Sequence, residues 1–189
     1  GRRRALAEWI ASRQHPLTAR VAVNHIWARH FHAPLVASVY DFGRNGDRPT
    51  HPELLDWLAV EFMESGWDMK HLHRLIVTSA AYRRVSSSGP DSTNVAADPE
   101  NRYLWRMNAA RMEAEVVRDS LLAVAGRLDP TLGGPELENR DALTTNRRSL
   151  YYAVHPEAGG KSPLGELFDA PDPLDCYRRA SSIVPQQAL

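Results

Sequence analysis

The chain has 189 residues, 43% of them hydrophobic, enough for one full core or for two lobes sharing one. Its 23 basic and 23 acidic residues cancel, so no global field draws in nucleic acid or an anionic membrane. A single cysteine, Cys176, excludes an intrachain disulfide and a multi-cysteine metal site, and no apolar run approaches the ~18 residues of a membrane span.

Leu6, Trp9 and Ile10 share one helical stripe, which predicts a first helix over 3–12, broken at His15-Pro16. Pro16 suits the first turn of a second helix in which Leu17, Val21, Ala28 and Phe31 project onto one side. Asn24 falls inside that apolar stripe, near Arg20. A buried amide without a partner costs about 1–3 kcal/mol, so both side chains are expected to reach backbone or acidic groups of the loop that follows. This makes Arg20, Asn24 and Asp41 a proposed structural lock. The loop over 32–50 holds a short extended piece at Leu35-Val36-Ala37, and its segment 41–53 packs glycines, charges and His51 against a helix start.

Thr50-His51-Pro52-Glu53 has the form of a capping box, with a Thr N-cap, proline in the first turn and glutamate three residues on. The third helix turns Leu54, Leu55, Leu58, Ala59, Phe62 and Met63 to one face and ends at Ser65-Gly66. A fourth starts at Trp67-Asp68, with Met69, Leu72, Leu75 and Ile76 inward, and ends near 82–84. The polar stretch 85–97 is a linker loop between a helical lobe, 1–84, and a second lobe, 98–189. There, Asp98-Pro99-Glu100-Asn101 reads as a short turn, and Asn108 as the cap of a long helix over 109–126. Val116, Leu121 and Val124 on one side and Met112 and Leu122 on another imply a helix packed on both faces. Beyond it, 148–154 has strand composition, a short helix includes 164–168, and Ser182-Ile183-Val184 suits a second short strand. The fold class is therefore mainly α: a helical N-terminal lobe and a loop-rich C-terminal lobe with one long helix and one or two short strands. The two read as one integrated domain, cut from a longer protein and truncated at its C-terminus.

Six of the eight histidines fall between residues 25 and 73, but no His-x3-His pair with a nearby acid is present, and no metal site is expected. His51, at the positive end of a helix dipole, suits either an acid–base role or a structural hydrogen bond. Glu115 and Asp119, four residues apart on the long helix, suit either divided acid and base roles or an ion-pair ladder with Arg111 and Arg118. With Asp41, His51 and Glu53 they complete the catalytic candidates. Among the basic residues only Lys70 and Lys161 are lysine. Arg44, Asn45 and Arg48 on the loop, Arg147 and Arg148 before the predicted strand, and Arg178 and Arg179 are the binding candidates, suited to carboxylate, sulfate or phosphate. No nucleophile elbow, phosphate-cradling loop or haem-attachment motif is present.

Asn24-His25-Ile26-Trp27, Asp41-Phe42-Gly43, the run from His51 to Ala59, Ser65-Gly66-Trp67 and Ser79-Ala80-Ala81-Tyr82-Arg83 resemble the domain of unknown function 1553 family. So do Asp98-Pro99-Glu100-Asn101, Arg118-Asp119, Gly133-Gly134-Pro135, Arg147-Arg148-Ser149, Phe168-Asp169-Ala170-Pro171-Asp172 and the closing Val184-Pro185-Gln186-Gln187-Ala188-Leu189. That family is the planctomycete-type, cytochrome-associated domain. The resemblance implies an extracytoplasmic location in a large exported protein, beside a companion domain of unknown function and a cytochrome c-like domain. Any c-type haem would then lie elsewhere in the full-length protein, with no cofactor in this segment. It brings no activity with it. Two functions stay open: a structural or ligand-binding module of such an assembly, or an enzyme domain acting on an extracellular polysaccharide through carboxylate and histidine groups. Phe31-His32-Ala33-Pro34-Leu35-Val36 departs from the family pattern, which tends to have a Phe-Gly-x-Gly-Leu-Val turn there.

Overall fold

In the computed structural model, which describes residues 1–87, 93–155, 160–171 and 182, helices α1 (Arg2–Ile10) and α2 (Thr18–Phe31) are joined by a turn built on His15. Its Nδ1 accepts the N–H groups of Leu17 at 3.3 Å and Thr18 at 3.1 Å, supplying the cap that the Leu17 side chain cannot make. Helix α1 buries none of its residues. It is tied to α2 by Thr18 Oγ1 donating to Ile10 O at 2.8 Å and by Trp9 meeting His15 edge-on at 4.2 Å.

Helix α2 buries Ala19, Val23, Trp27 and Phe31, a strict four-residue row, together with Asn24. The core face is thus rotated from the expected Leu17–Val21–Ala28 side. Trp27 and Phe31 stack with ring centroids 4.1 Å apart, and the burial of two large rings outweighs that of smaller aliphatic groups. Helix α3 (Pro52–Glu64) buries Leu55, Leu58, Ala59 and Phe62, as its periodicity predicts. It ends where Gly66 adopts φ +76°, a conformation glycine takes without Cβ strain. Helix α4 (Met69–Val77) starts with the Asp68 carboxylate accepting Lys70 N–H at 2.8 Å and buries Leu72 and Ile76. It stops short of 82–84, at Thr78, whose Oγ1 donates to Arg74 O at 2.8 Å. Met69, expected inside, is exposed.

The capping box does not form. His51 is the N-cap of α3 and makes no side-chain cap bond. Thr50 instead directs both its N–H (2.8 Å) and its Oγ1 (3.2 Å) to Leu35 O. Leu35 and Val36, each 2% exposed, plug the core between α2 and α3 rather than forming an extended piece. Thr50 is thus anchored to the Leu35 carbonyl one residue before the helix start, and the N-cap position falls to His51.

The chain divides into two compact units, Gly1–Ala110 and Arg111–Leu189. Residues 98–110, grouped by sequence with the second lobe, sit in the first unit. Asn108 does not cap a long helix. Its Nδ2 donates to Phe31 O at 2.8 Å, closing the C-terminal end of α2, and its Oδ1 accepts from buried Asn101. Leu104 and Met107 pack on the helical core. The Asp98 carboxylate accepts Arg102 and Tyr103 N–H groups, forming the expected turn after the short helix α5 (Thr93–Ala97).

In the second unit, α6 (Ala114–Val124) is shorter than expected and buries only Ala114 and Arg118. Val116, Leu121 and Val124 are exposed, so the helix is not packed on both faces. No strand forms over 148–154. A 3₁₀ turn, Ser149–Tyr151, is flanked by two isolated parallel bridges, Asp129 to Arg147 and Leu137 to Tyr152. Pro130 and Pro135 lack the N–H groups a continuous ladder needs. Helix α7 (Pro163–Leu167) is capped by Ser162 Oγ, which accepts Gly165 N–H at 3.1 Å. The second strand predicted at 182–184 falls, apart from Ser182, outside the described residues.

Candidate functional site

Asn24 fills the locking role read from the sequence. It is 1% exposed, its Nδ2 donates to Val36 O at 3.0 Å and its Oδ1 accepts Val36 N–H at 2.9 Å. Arg20 reaches across to α3 rather than into the loop, pairing with Asp56 at 2.6 Å. Asp41 is not part of the lock: its carboxylate is exposed and has no partner among the described residues. Its backbone carbonyl carries the structural role, accepting Ser38 Oγ at 2.9 Å while that oxygen accepts Asp47 N–H at 2.7 Å. Gly46 lies against the same carbonyl, where an added Cβ would stand 1.7 Å from Asp41 O. Gly46→Ala is therefore expected to cost about 1–3 kcal/mol by forcing the loop apart. Asp41→Ala should stay within about 0.5 kcal/mol. Urea denaturation of the two variants checks the contrast, and equal midpoints would contradict it.

Arg44, Asn45, Arg48 and Glu53 are exposed and form no side-chain bond among the described residues. His51 Nδ1 lies 3.0 Å from Thr50 Oγ1, and its ring meets Tyr103 edge-on at 6.2 Å. These first-unit candidates share a loop and a helix start, and none of them lines the cavity described next.

The second unit does contain a cavity, of about 790 Å³, and three of the sequence candidates line it: Glu115, Asp119 and Arg148. Its architecture depends on Arg118. This side chain, 5% exposed, sends Nε to Ala142 O (3.2 Å), Nη1 to Arg147 O (2.8 Å) and Ser149 Oγ (3.2 Å), and Nη2 to Thr145 O. The planar fork of a guanidinium is suited to collecting several carbonyls at once. Arg118 thereby fastens the 142–149 loop to α6, and its guanidinium also lies over the Tyr152 ring at 5.1 Å. Asp119 completes the joint by accepting Ser149 N–H at 2.8 Å. Its Oδ2 stands 3.6 Å from Arg148 Nε.

Two lining residues that matter to the chemistry of the cavity, Tyr152 and Lys161, carry no functional role in the sequence reading. The Tyr152 hydroxyl is buried with no hydrogen-bond partner among the described residues. Burial pushes its pKa above the ordinary phenol value, with Arg118 opposing and Asp119 and Asp141 adding to the rise. Lys161 has no partner among the described residues. A visible hint existed for Lys161, one of two lysines in an arginine-rich chain and directly before a Ser-Pro helix start. Tyr152 gave none, because an apolar run of its kind reads as a strand.

Arg147 is not a free anion ligand. Its guanidinium covers the Tyr151 ring at 4.2 Å and donates to Pro135 O at 3.1 Å and to Gly133 O. Arg178 and Arg179 lie outside the described residues. No group of three or more His, Cys, Asp or Glu side chains is gathered as a metal site among the described residues, and no helix there is long and apolar enough to cross a membrane.

The histidine cluster instead yields a contact between helices, with His30 Nε2 of α2 2.7 Å from His73 Nδ1 of α4. Tyr82 meets the His30 ring edge-on at 5.7 Å. Desolvation, then the neighbouring His73 and His32, hold the His30 pKa below its ordinary 6.5. As pH falls through 6.5 the unfolded chain takes up this proton before the folded one does, so folded stability is full above that pH and declines below it. Melting curves at pH 7.5 and 5.5 should show this loss, and His73→Gln should flatten it. An identical pH slope in that variant would remove His73 from the account.

No curated protein and no solved structure matches the chain. The family model described as PSD1, protein of unknown function (DUF1553), matches residues 2–189. With practically its whole length covered, the chain belongs to that family.

Proposed function

We propose that this domain is a ligand-binding module of a larger exported, cytochrome-associated protein, working outside the cytoplasm, with the second-unit cavity as its binding site. The observation that carries this reading is the cavity itself: about 790 Å³, within the range of small-molecule sites, with apolar walls and a few charged groups on a scaffold fixed by Arg118. The exported and cytochrome-associated setting, with companion domains of the same polypeptide as partners, rests on the resemblance of the sequence motifs. Any haem would belong to those companions.

An enzyme acting on a polysaccharide is the second reading, favoured by one observation, that Glu115 and Asp119 line the same cavity. It asks Asp119 to act as acid, base or nucleophile while its Oδ1 holds Ser149 N–H and Oδ2 faces Arg148. Those contacts make it a support for the wall, so binding is the better supported role.

The test is amide-resolved NMR of the chain against neutral, carboxylated and sulfated oligosaccharides and small aliphatic and aromatic acids. Shifts confined to residues 113–120, 148–154 and 160–165 are expected for at least one class. A panel that moves none of them removes the binding reading; release of new reducing ends from a polysaccharide would favour the enzyme.

A further inference from the structure

The polar groups around the cavity are not equally available. Glu113 and Glu115 are already engaged, Asp119 is held by Ser149 N–H, and the Arg118 fork is consumed by carbonyls and a hydroxyl. Among the described side chains, two cations and a phenol stand out as donors, beside the hydroxyls of Ser120, Ser149 and Ser162. Lys161 has no partner there. Arg148 meets Asp119 only at 3.6 Å through Nε, too long for a hydrogen bond, which leaves its outer N–H groups without a partner among the described residues. The Tyr152 hydroxyl is buried and unbonded in the same sense.

Much of the rest of the lining is aliphatic, with Val116, Leu128, Leu150, Val154 and Leu164, interrupted by Ser120, Asn139, Ser149 and Ser162. Tyr152 is the single aromatic residue among the described lining side chains, and Arg118 lies over its ring. Sugar rings are commonly held against open aromatic faces, and the described wall offers none. Aliphatic walls with unsatisfied donors match a different chemistry: an apolar body carrying one acidic group.

Resting on the cavity as the binding site, we infer that its ligand is an amphiphilic organic anion, its acidic group held by Arg148 and Lys161 and its aliphatic or aromatic body lying on the α6 and α7 walls. A carboxylate, sulfate or phosphate supplies the same acceptor chemistry. The apolar body distinguishes this class from acidic sugars, in which hydroxyls would face the leucine and valine side chains.

The experiment titrates the chain with octanoate, octyl sulfate, octanamide and glucuronate, read by amide shifts at the cavity, and repeats each titration with Lys161→Gln. The expected result is binding of octanoate or octyl sulfate, with the better of the two identifying the acid group. Affinity should be about five- to tenfold weaker in Lys161→Gln. Octanamide should bind more weakly than octanoate and be indifferent to the substitution. Octanamide binding as tightly as octanoate, or unchanged octanoate affinity in Lys161→Gln, would overturn the anion assignment while leaving the cavity as a binding site. Glucuronate binding in preference to octanoate would overturn the apolar body. If no probe in this set or in the wider oligosaccharide panel shifts the cavity amides, the binding reading itself falls with the inference.

Discussion

Arg118→Met is expected to destabilise the second unit by about 3–5 kcal/mol, the largest effect of any single substitution in that part of the chain. The methionine fills most of the volume, so the loss comes from polar groups left behind. The carbonyls of Ala142, Arg147 and Thr145 and the Ser149 hydroxyl would lose their donor. Burial without a partner costs about 1–3 kcal/mol for each such group, moderated where the loop can relax to water. Arg118→Lys should rescue little, because one ammonium cannot span carbonyls that a fork reaches from several sides. Hydrogen exchange over residues 129–153 is the direct measurement. Protection there should collapse in both variants, and wild-type protection in Arg118→Lys would show that charge, rather than the fork, is what the loop requires. The cavity should be lost with it, since Ser149, Tyr152 and Ala153 all belong to the wall that Arg118 secures.

Asn24→Leu carries the largest expected effect in the first unit, about 2–4 kcal/mol. It strips both the donor and the acceptor from Val36, a residue with 2% exposure and no route to solvent. Asn24→Asp separates the two bonds. The carboxylate still accepts Val36 N–H, but its second oxygen then faces Val36 O, so the variant should be at least as unstable as Asn24→Leu at neutral pH. Protonation restores an O–H donor, and the defect should shrink as the solution is acidified. Tryptophan emission suits the measurement, since all five tryptophans lie in Gly1–Ala110 and Trp27 is in the adjacent core. An Asn24→Asp variant that loses relative stability on acidification would show that the Val36 bonds are not what holds the loop.

Helices α3 and α4 are legible in the sequence because a clear 3.6-residue period coincides with local end signals, Ser65-Gly66 for one and Asp68 for the other. Asn24 is legible for a different reason: an amide inside an apolar stripe must find a partner. What the pattern misses are choices between two satisfactory local structures. Thr50 could cap a helix or clamp Leu35 O, Asn108 could start a helix or close one 77 residues earlier in sequence, and tertiary burial decides both. The same holds for α6, where Val116, Leu121 and Val124 promise a buried face and a single arginine takes it. In the cavity, Glu115, Asp119 and Arg148 stand out by residue type alone, whereas Tyr152 and Lys161 matter only through what surrounds them. Arg147 has the look of a ligand-binding cation, but an arginine beside a glycine-rich loop finds its acceptors within the protein.

The bond from Asn108 to the end of α2 also bears on how the chain acquires its structure. Helices α2, α3 and α4 can meet as soon as residue 77 is available, through contacts between neighbours in sequence. The last carbonyls of α2, and the core faces awaiting Leu104 and Met107, stay uncovered until residue 108 arrives. A vectorially synthesised chain would therefore pass through a three-helix intermediate with an open apolar edge, and the final step would be closure of a long, entropically costly loop. The first unit should in consequence fold in two kinetic phases, a fast one from helix association and a slow one that Asn108→Ala retards.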